Sequence, residues 1–339
     1  MSESIRVENL TKCYGSVRAI EDLSFSINHG EVIGFLGPNG AGKSTTMRIL
    51  CGLMPATSGR AYLGGISIAR HPEKVRRRVG FMPENNPLPN EMRVSEYLRF
   101  RAELKGLSRG ARKTRVGEVM EICNLDKKAK YKMIKTLSKG FRQRVGIADA
   151  LLAKPDVIIM DEPTIGLDPH QIIGIRRLFN ELKGQMTVII SSHILPEVEA
   201  TCDRAIIINH GSIVALGTPM ELCREFISES SYKIVARATS ESIRSALNTV
   251  SPGISVVDES APDALGIVTW IIKAPVGCDR TTGHTLIEAL SADSSIFLQE
   301  CSREHSHLED VFLAATKHSW EENYAVQRRY QKKAQTLES

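Results

Sequence analysis

Over roughly the first 215 residues, short β-branched and apolar runs alternate with stretches of helical periodicity, the pattern of an α/β sheet domain. The clearest runs are EVIGFL at 31–36, VIIM at 157–160, TVII at 187–190 and AIII at 205–208. VIIM is apolar at every position, which predicts a strand covered by helices on both faces and placed centrally in its sheet. From about 94 to 135 the periodicity is helical only, in VSEYLRFRAELKGL and then RKTRVGEVMEICNL. This predicts an α-helical subdomain, about 90–150, inserted into the α/β domain. It follows a break at 83–89, where three prolines remove backbone donors and disfavour helix in the residues before them.

Beyond about residue 229 the order becomes strand (YKIVARA), helix (SESIRSALNTV), two strands (ISVVDES, GIVTWIIKA), helix (TTGHTLIEALSA) and strand (SIFLQEC), closed by the helical LEDVFLAAT. A βαββαβ order predicts a small ferredoxin-like α+β domain. The expected organisation is therefore an α/β domain over 1–228, the accessory domain over 229–318 and a charged tail over 319–339. A length of 339 residues suits one large domain and one small one.

Composition narrows the class without naming an activity. Apolar residues make up 42% and charged residues 24%, ordinary values for a soluble globular protein. Seven cysteines, an odd number with no C-x-x-C spacing, suggest neither a zinc site nor a disulfide framework and fit a reducing compartment. MSESIRVENL lacks the apolar core of a signal peptide, and no stretch approaches the ~18 apolar residues of a spanning helix, so a membrane role is expected to run through a partner. The net charge of +5 is small and dispersed. The local cluster Lys127, Lys128, Lys130, Lys132 and Lys135 reads as a solvated face, and no nucleic-acid partner is expected.

The chemistry begins at Gly37-Pro38-Asn39-Gly40-Ala41-Gly42-Lys43-Ser44-Thr45, which matches G-x-x-x-x-G-K-[ST]. It follows a strand and precedes a helix expected from Ser44, the context of a P-loop. Its glycines let backbone N–H groups wrap phosphates, Lys43 reaches the β- and γ-phosphates, and the Ser44 hydroxyl is a Mg²⁺ ligand at a helix N-terminus that favours anions. The VIIM strand then delivers Asp161 and Glu162 to its C-terminal end, where α/β sheets bind ligands. Asp161 is expected to hold Mg²⁺ and Glu162 to polarise the attacking water as general base.

Those two motifs define a broad class of P-loop NTPases, and three further segments narrow it. Leu137-Ser138-Lys139-Gly140-Phe141, ahead of the helical RQRVGIADALL, resembles the LSGGQ signature of ATP-binding cassette (ABC) proteins. Gly166-Leu167-Asp168-Pro169 resembles that family's D-loop, and His193 in ISSHIL matches its switch histidine. Tyr14 matches the aromatic that stacks on adenine. The resemblance covers about 5–226, and the C-terminal domain looks like the appendage on cassette subunits of bacterial multidrug-type, lipid and gliding-motility exporters. It implies an ATPase with ATP and Mg²⁺, working as a head-to-tail pair with a second cassette, a homodimer by expectation. Each ATP would lie between one subunit's P-loop and the other's signature turn. It also implies a transmembrane permease as partner and a place at the inner face of the cell membrane.

Three positions depart from the family pattern. Glu84 stands where the family usually has Gln, in the loop that senses the γ-phosphate, and it adds a charge while remaining an oxygen ligand for Mg²⁺. Lys139 replaces Gly and Phe141 replaces Gln, which keeps Ser138 and Gly140 but adds a cation near the opposed phosphates. An active enzyme with altered kinetics is expected. The competing readings are a soluble cassette acting on ribosomes or DNA, and a nucleotide sensor without useful turnover. The single short helical insert argues against the former and the retained Glu162 and His193 against the latter.

Overall fold

The computed structural model describes residues 3–125, 129–227, 230–251, 253–274, 282–304 and 307–316. Lys127, Lys128 and the expected tail at 319–339 lie outside the described residues. The chain divides into two compact units: residues up to Pro219 joined by Ala315 and Thr316, and Met220–Ala314.

The first unit opens with the long strands β1 (Glu3–Tyr14) and β2 (Val17–Asn28), then β3 (Val32–Leu36) and helix α1 (Lys43–Leu50). Short elements follow: β4 (Ser58–Leu63), β5 (Ile66–Ser67), α2 (Pro72–Arg78) and β6 (Val79–Met82). The helical insert comprises α3 (Val94–Leu104), α4 (Arg109–Ile122), 3₁₀ turns at Ala129–Tyr131 and Ile134–Thr136, and α5 (Lys139–Leu151). The α/β alternation then resumes with β7 (Val157–Asp161), α6 (Pro169–Leu182), β8 (Thr187–Ser192), α7 (Leu195–Thr201), β9 (Arg204–Asn209) and β10 (Ser212–Gly217).

Two sheets share this unit. One is antiparallel, in the order β2-β1-β4-β5; the other runs β10-β9-β3-β8-β7-β6, parallel except for β10. Alternate residues of the parallel strands feed two different cores. Val32, Ile158, Met160, Val188 and Ile190 meet the helical insert and α6. Ile33, Phe35, Val157, Ile159 and Ile189 meet α1 and the antiparallel sheet. Burial on both faces explains why these strands read as unbroken apolar runs. The VIIM strand is interior and wholly buried, but it lies second from an edge, because β6 pairs along its outer side. The central places belong to β3 and β8.

The helical insert is locked by polar contacts as well as apolar ones. Asp149 on α5 accepts hydrogen bonds from Tyr97 (3.2 Å) and Arg101 (3.0 Å) on α3, and the Arg115 guanidinium of α4 donates to the carbonyls of Leu151 and Leu152 at the end of α5. The last of these satisfies C-terminal carbonyls that no intrahelical donor reaches.

The boundary falls at the first residue of α8 (Pro219–Phe226), and the second unit continues through β11 (Ser230–Arg237), α9 (Ser240–Val250), β12 (Ser255–Glu259), β13 (Val268–Ala274), α10 (Thr282–Ala292) and β14 (Phe297–Glu304). Its sheet is antiparallel in the order β12-β13-β11-β14, the arrangement of a ferredoxin-like fold. Tyr232, Ile234, Ala236, Trp270 and Ile272 point to one face, where Ile243, Leu247, Leu286 and Leu290 of α9 and α10 cover them. No helix among the described residues is long and apolar enough to cross a membrane.

Candidate active site

The C-terminal ends of three adjacent parallel strands converge on one cavity. After β3 the chain turns through Gly37 to Gly42 into α1, and Gly42 caps that helix at φ 103°, a backbone conformation that L side chains rarely adopt. A β-carbon there would also lie 2.6 Å from the Ala19 carbonyl oxygen. The helix begins at Lys43, one residue before the position expected from sequence. Lys43 is buried, and its Nζ donates to the carbonyl oxygens of Gly37 (2.7 Å) and Pro38 (3.2 Å) across the mouth of its own loop.

β7 ends in Asp161 and the chain continues through Glu162, which takes a left-handed backbone (φ 50°) that costs about 1–2 kcal/mol for a residue with a side chain. Both carboxylates are buried. Ser191, at the end of β8, ties them together: its hydroxyl accepts from the Glu162 N–H (2.9 Å) and donates to Asp161 Oδ1. Two residues on, His193 Nδ1 sits 2.7 Å from Glu162 Oε2, with the imidazole half exposed. The parallel pairing of β7 with β8, with Asp161 opposite Ser191, makes this meeting possible.

The resulting cavity, about 430 Å³, is lined by Pro38, Asn39, Gly40, Gly42, Lys43, Ser44, Thr45, Glu84, Asp161, Glu162 and His193, together with Ala19 and Ile165. Gly37 and Ala41 belong to the same loop but do not line it. Glu84, exposed in the loop after β6, brings a third carboxylate. Burial pushes the Glu162 carboxyl above its ordinary range, while His193 and Lys43 pull it back and Asp161 adds to the rise. Burial pushes the Lys43 ammonium below its ordinary value, opposed by Glu162, Asp161 and Glu84. A cation and three acids thus face a space sized for a polyphosphate.

The remaining sequence candidates lie outside this cavity. Tyr14 ends β1, half exposed, with its hydroxyl on Met54 Sδ (3.0 Å) and the Lys12 ammonium 5.4 Å from its ring centre. Ser138 caps α5, its hydroxyl accepting from the Phe141 N–H. Gly140 is buried against the Gln171 side chain of α6, and the exposed Lys139 ammonium occupies the space a β-carbon on Gly166 would need. Asp168 caps α6 by accepting from the Gln171 N–H (2.9 Å). Leu137 packs against the helical core. The signature-like turn and the D-loop-like segment are therefore neighbours on one surface of the unit. Ser191, Ala19 and Ile165 were not among the sequence candidates; the SSH triplet ahead of the helix was the one local sign of Ser191.

Comparison with known proteins agrees with this geometry. The ABC transporter family profile matches residues 20–165. The linearmycin resistance ATP-binding protein LnrL of Bacillus subtilis is 37% identical over 248 residues, spanning 73% of this chain and 79% of LnrL. Among solved structures, an ATP-binding subunit of an ABC transporter superposes with TM-score 0.59 at 34% identity, over 66% of this chain and 92% of that one. The cassette MJ0796, solved as a dimer in a post-hydrolysis state bound to ADP and Pi, gives 0.58 at 27% identity, over 63% and 98%. The chain belongs to the ABC transporter family, as an ATP-binding and ATP-hydrolysing cassette.

Proposed function

We propose that this cassette drives a separate transmembrane permease, working as a pair of identical subunits that close on ATP and reopen after hydrolysis. The observation that carries the reading is the division of the ATP machinery between two surfaces. The P-loop, Glu162 and His193 share one cavity, while Ser138 and Lys139 lie apart from it and are exposed, with Gly140 buried behind them. A second copy, packed head to tail, would bring its signature turn to this cavity and the Leu137 to Phe141 segment here to the other. The half-exposed ring of Tyr14 is assigned to adenine stacking, outside the phosphate cavity.

In the reaction, the loop N–H groups and Lys43 hold the β- and γ-phosphates. The Glu162 carboxylate accepts a proton from the attacking water as its oxygen bonds to the γ-phosphorus and the bond to the ADP oxygen breaks, giving ADP and phosphate. His193 contacts and orients Glu162 and lines the same cavity, and it is assigned to stabilise charge on the γ-phosphate. Ser44, Asp161 and Glu84 present hydroxyl and carboxylate oxygens to one cavity, the hard donor set that suits Mg²⁺, which when bound would offset phosphate charge.

The cassette itself offers no described spanning helix, so attachment to the inner face of the membrane is assigned to the permease. The test is light scattering of Glu162→Gln with and without ATP. A shift from monomer to dimer with ATP alone is expected, and a monomer at saturating ATP refutes the paired arrangement. Co-purification from membranes with a multi-spanning subunit tests the permease assignment, and fractionation solely with ribosomes refutes it.

A further inference from the structure

Glu197 is a buried carboxylate that the reaction above leaves without a role. It sits in the first turn of α7, four residues after His193, and is 7% exposed. Its Oε2 accepts a hydrogen bond from the hydroxyl of Thr164, itself 3% exposed and two residues after Glu162. Its Oε1 has no hydrogen-bond partner among the described residues. A polar oxygen is costly to bury unmet, so the single bond to Thr164 needs a reason.

The reason lies in what the bond connects. Thr164 belongs to the loop leaving β7, and Glu197 to the helix following β8. Between them stands the Glu162–His193 contact at 2.7 Å, whose imidazole is half exposed. On the strand side of that contact, Ser191 ties β8 to Asp161 and to the Glu162 backbone. On the loop side, the described link is Thr164 to Glu197. The contact is therefore bracketed by two buried hydrogen-bonded ties, one at each end.

We infer that Thr164 and Glu197 form a positioning pair that holds the Glu162 turn and the His193 segment in register, so that the carboxylate and imidazole act on the γ-phosphate as one unit. The inference rests on the assignment of Glu162 and His193 as the reacting groups. Displacing such groups slightly lowers turnover without weakening ground-state binding.

Steady-state ATPase assays on the full chain with ATP and MgCl₂ test it. Thr164→Val, which keeps the shape and removes the hydroxyl, should lower kcat about tenfold with KM within about twofold. Thr164→Ser, which restores the hydroxyl, should return kcat to within about twofold of wild type. In a His193→Ala background, Thr164→Val should change kcat by less than about twofold, because the pair acts through the histidine. Wild-type kcat in Thr164→Val overturns the inference, as does a Thr164→Ser enzyme as slow as Thr164→Val, which would mean that packing alone matters. If Glu162→Gln kept wild-type turnover, the assignment of the base would fail. An inactive Glu162→Gln beside an unimpaired Thr164→Val would overturn only the positioning pair.

Discussion

Replacing Asp149 by alanine should loosen α3 from α5 and so loosen the helix that follows the signature-like turn. Asp149 is 7% exposed, and Arg101 Nε lies 3.0 Å from each of its oxygens. The Tyr97 hydroxyl is at 3.2 Å and Lys105 Nζ at 3.3 Å. Burial and the Asp149 charge both push the Tyr97 hydroxyl up, and burial pulls Lys105 down against the attraction of Asp149. Alanine would leave the Arg101 guanidinium and the buried Tyr97 hydroxyl without their acceptor, and Lys105 with only the main-chain carbonyl of residue 149. Removing one partner of a fully buried pair costs about 3–5 kcal/mol. The Arg101 and Lys105 side chains retain 36% and 21% exposure, so solvent screens part of that cost. A loss of about 2 kcal/mol follows, or roughly 30-fold in the opening equilibrium.

Hydrogen exchange followed by mass spectrometry reads this directly. Amides in α3 and α5 should exchange roughly 30-fold faster in Asp149→Ala, while those of α9 in the second compact unit serve as control. Asp149→Asn, which keeps an acceptor for Tyr97 and Arg101, should give about half the free-energy change. Exchange in α3 and α5 within twofold of wild type would refute the account of the lock.

Other perturbations separate the roles of neighbouring groups. Glu162 must be ionised to accept a proton, and burial raises its pKa, so the acid limb of the kcat profile should lie above the ordinary glutamate value of about 4.3. His193 holds that pKa down, so His193→Ala should move the limb to higher pH; a limb that stays or moves lower contradicts the assignment. Lys43→Met should weaken ATP binding about tenfold or more in calorimetry, since it removes a charge-assisted contact with phosphate; unchanged affinity would contradict the loop's role. Gly34→Ala should cost about 1–3 kcal/mol in urea unfolding, because its β-carbon would fall within 3.0 Å of Val198 Cγ1 on α7; wild-type stability would show that α7 yields freely.

Much of this was legible in the sequence because burial imposed a pattern on it. Strands covered on both faces need apolar runs, and β3, β7, β8 and β9 carry VIGFL, VIIM, VII and AIII; the second unit's βαββαβ order likewise follows from period-2 and period-3.6 runs. The antiparallel sheet was barely legible. Its long strands β1 and β2 carry register shifts and left-handed residues at Asn9 and Asp22, which break the alternation a sequence reading relies on. The flanking position of β7 was hidden for a similar reason: β6 is four residues with a glycine, too short to announce a strand. At the site, residues in recognisable motifs or at the end of an apolar strand stood out. Ser191, Thr164 and Glu197 did not, since each matters through a tertiary contact and looks locally like any strand-end hydroxyl or helix-start acid. Lys139 stood out as a departure, but only the fold shows its ammonium over Gly166.

The central claim is that Glu162 performs the chemistry of ATP hydrolysis and is not needed to hold the nucleotide. The most direct test measures phosphate release and ATP affinity on the same Glu162→Gln preparation. Phosphate release is expected to fall at least about a hundredfold, the scale of a lost general base, while the ATP dissociation constant stays within about threefold of wild type. Phosphate release at the wild-type rate, or loss of ATP binding in step with turnover, would contradict it.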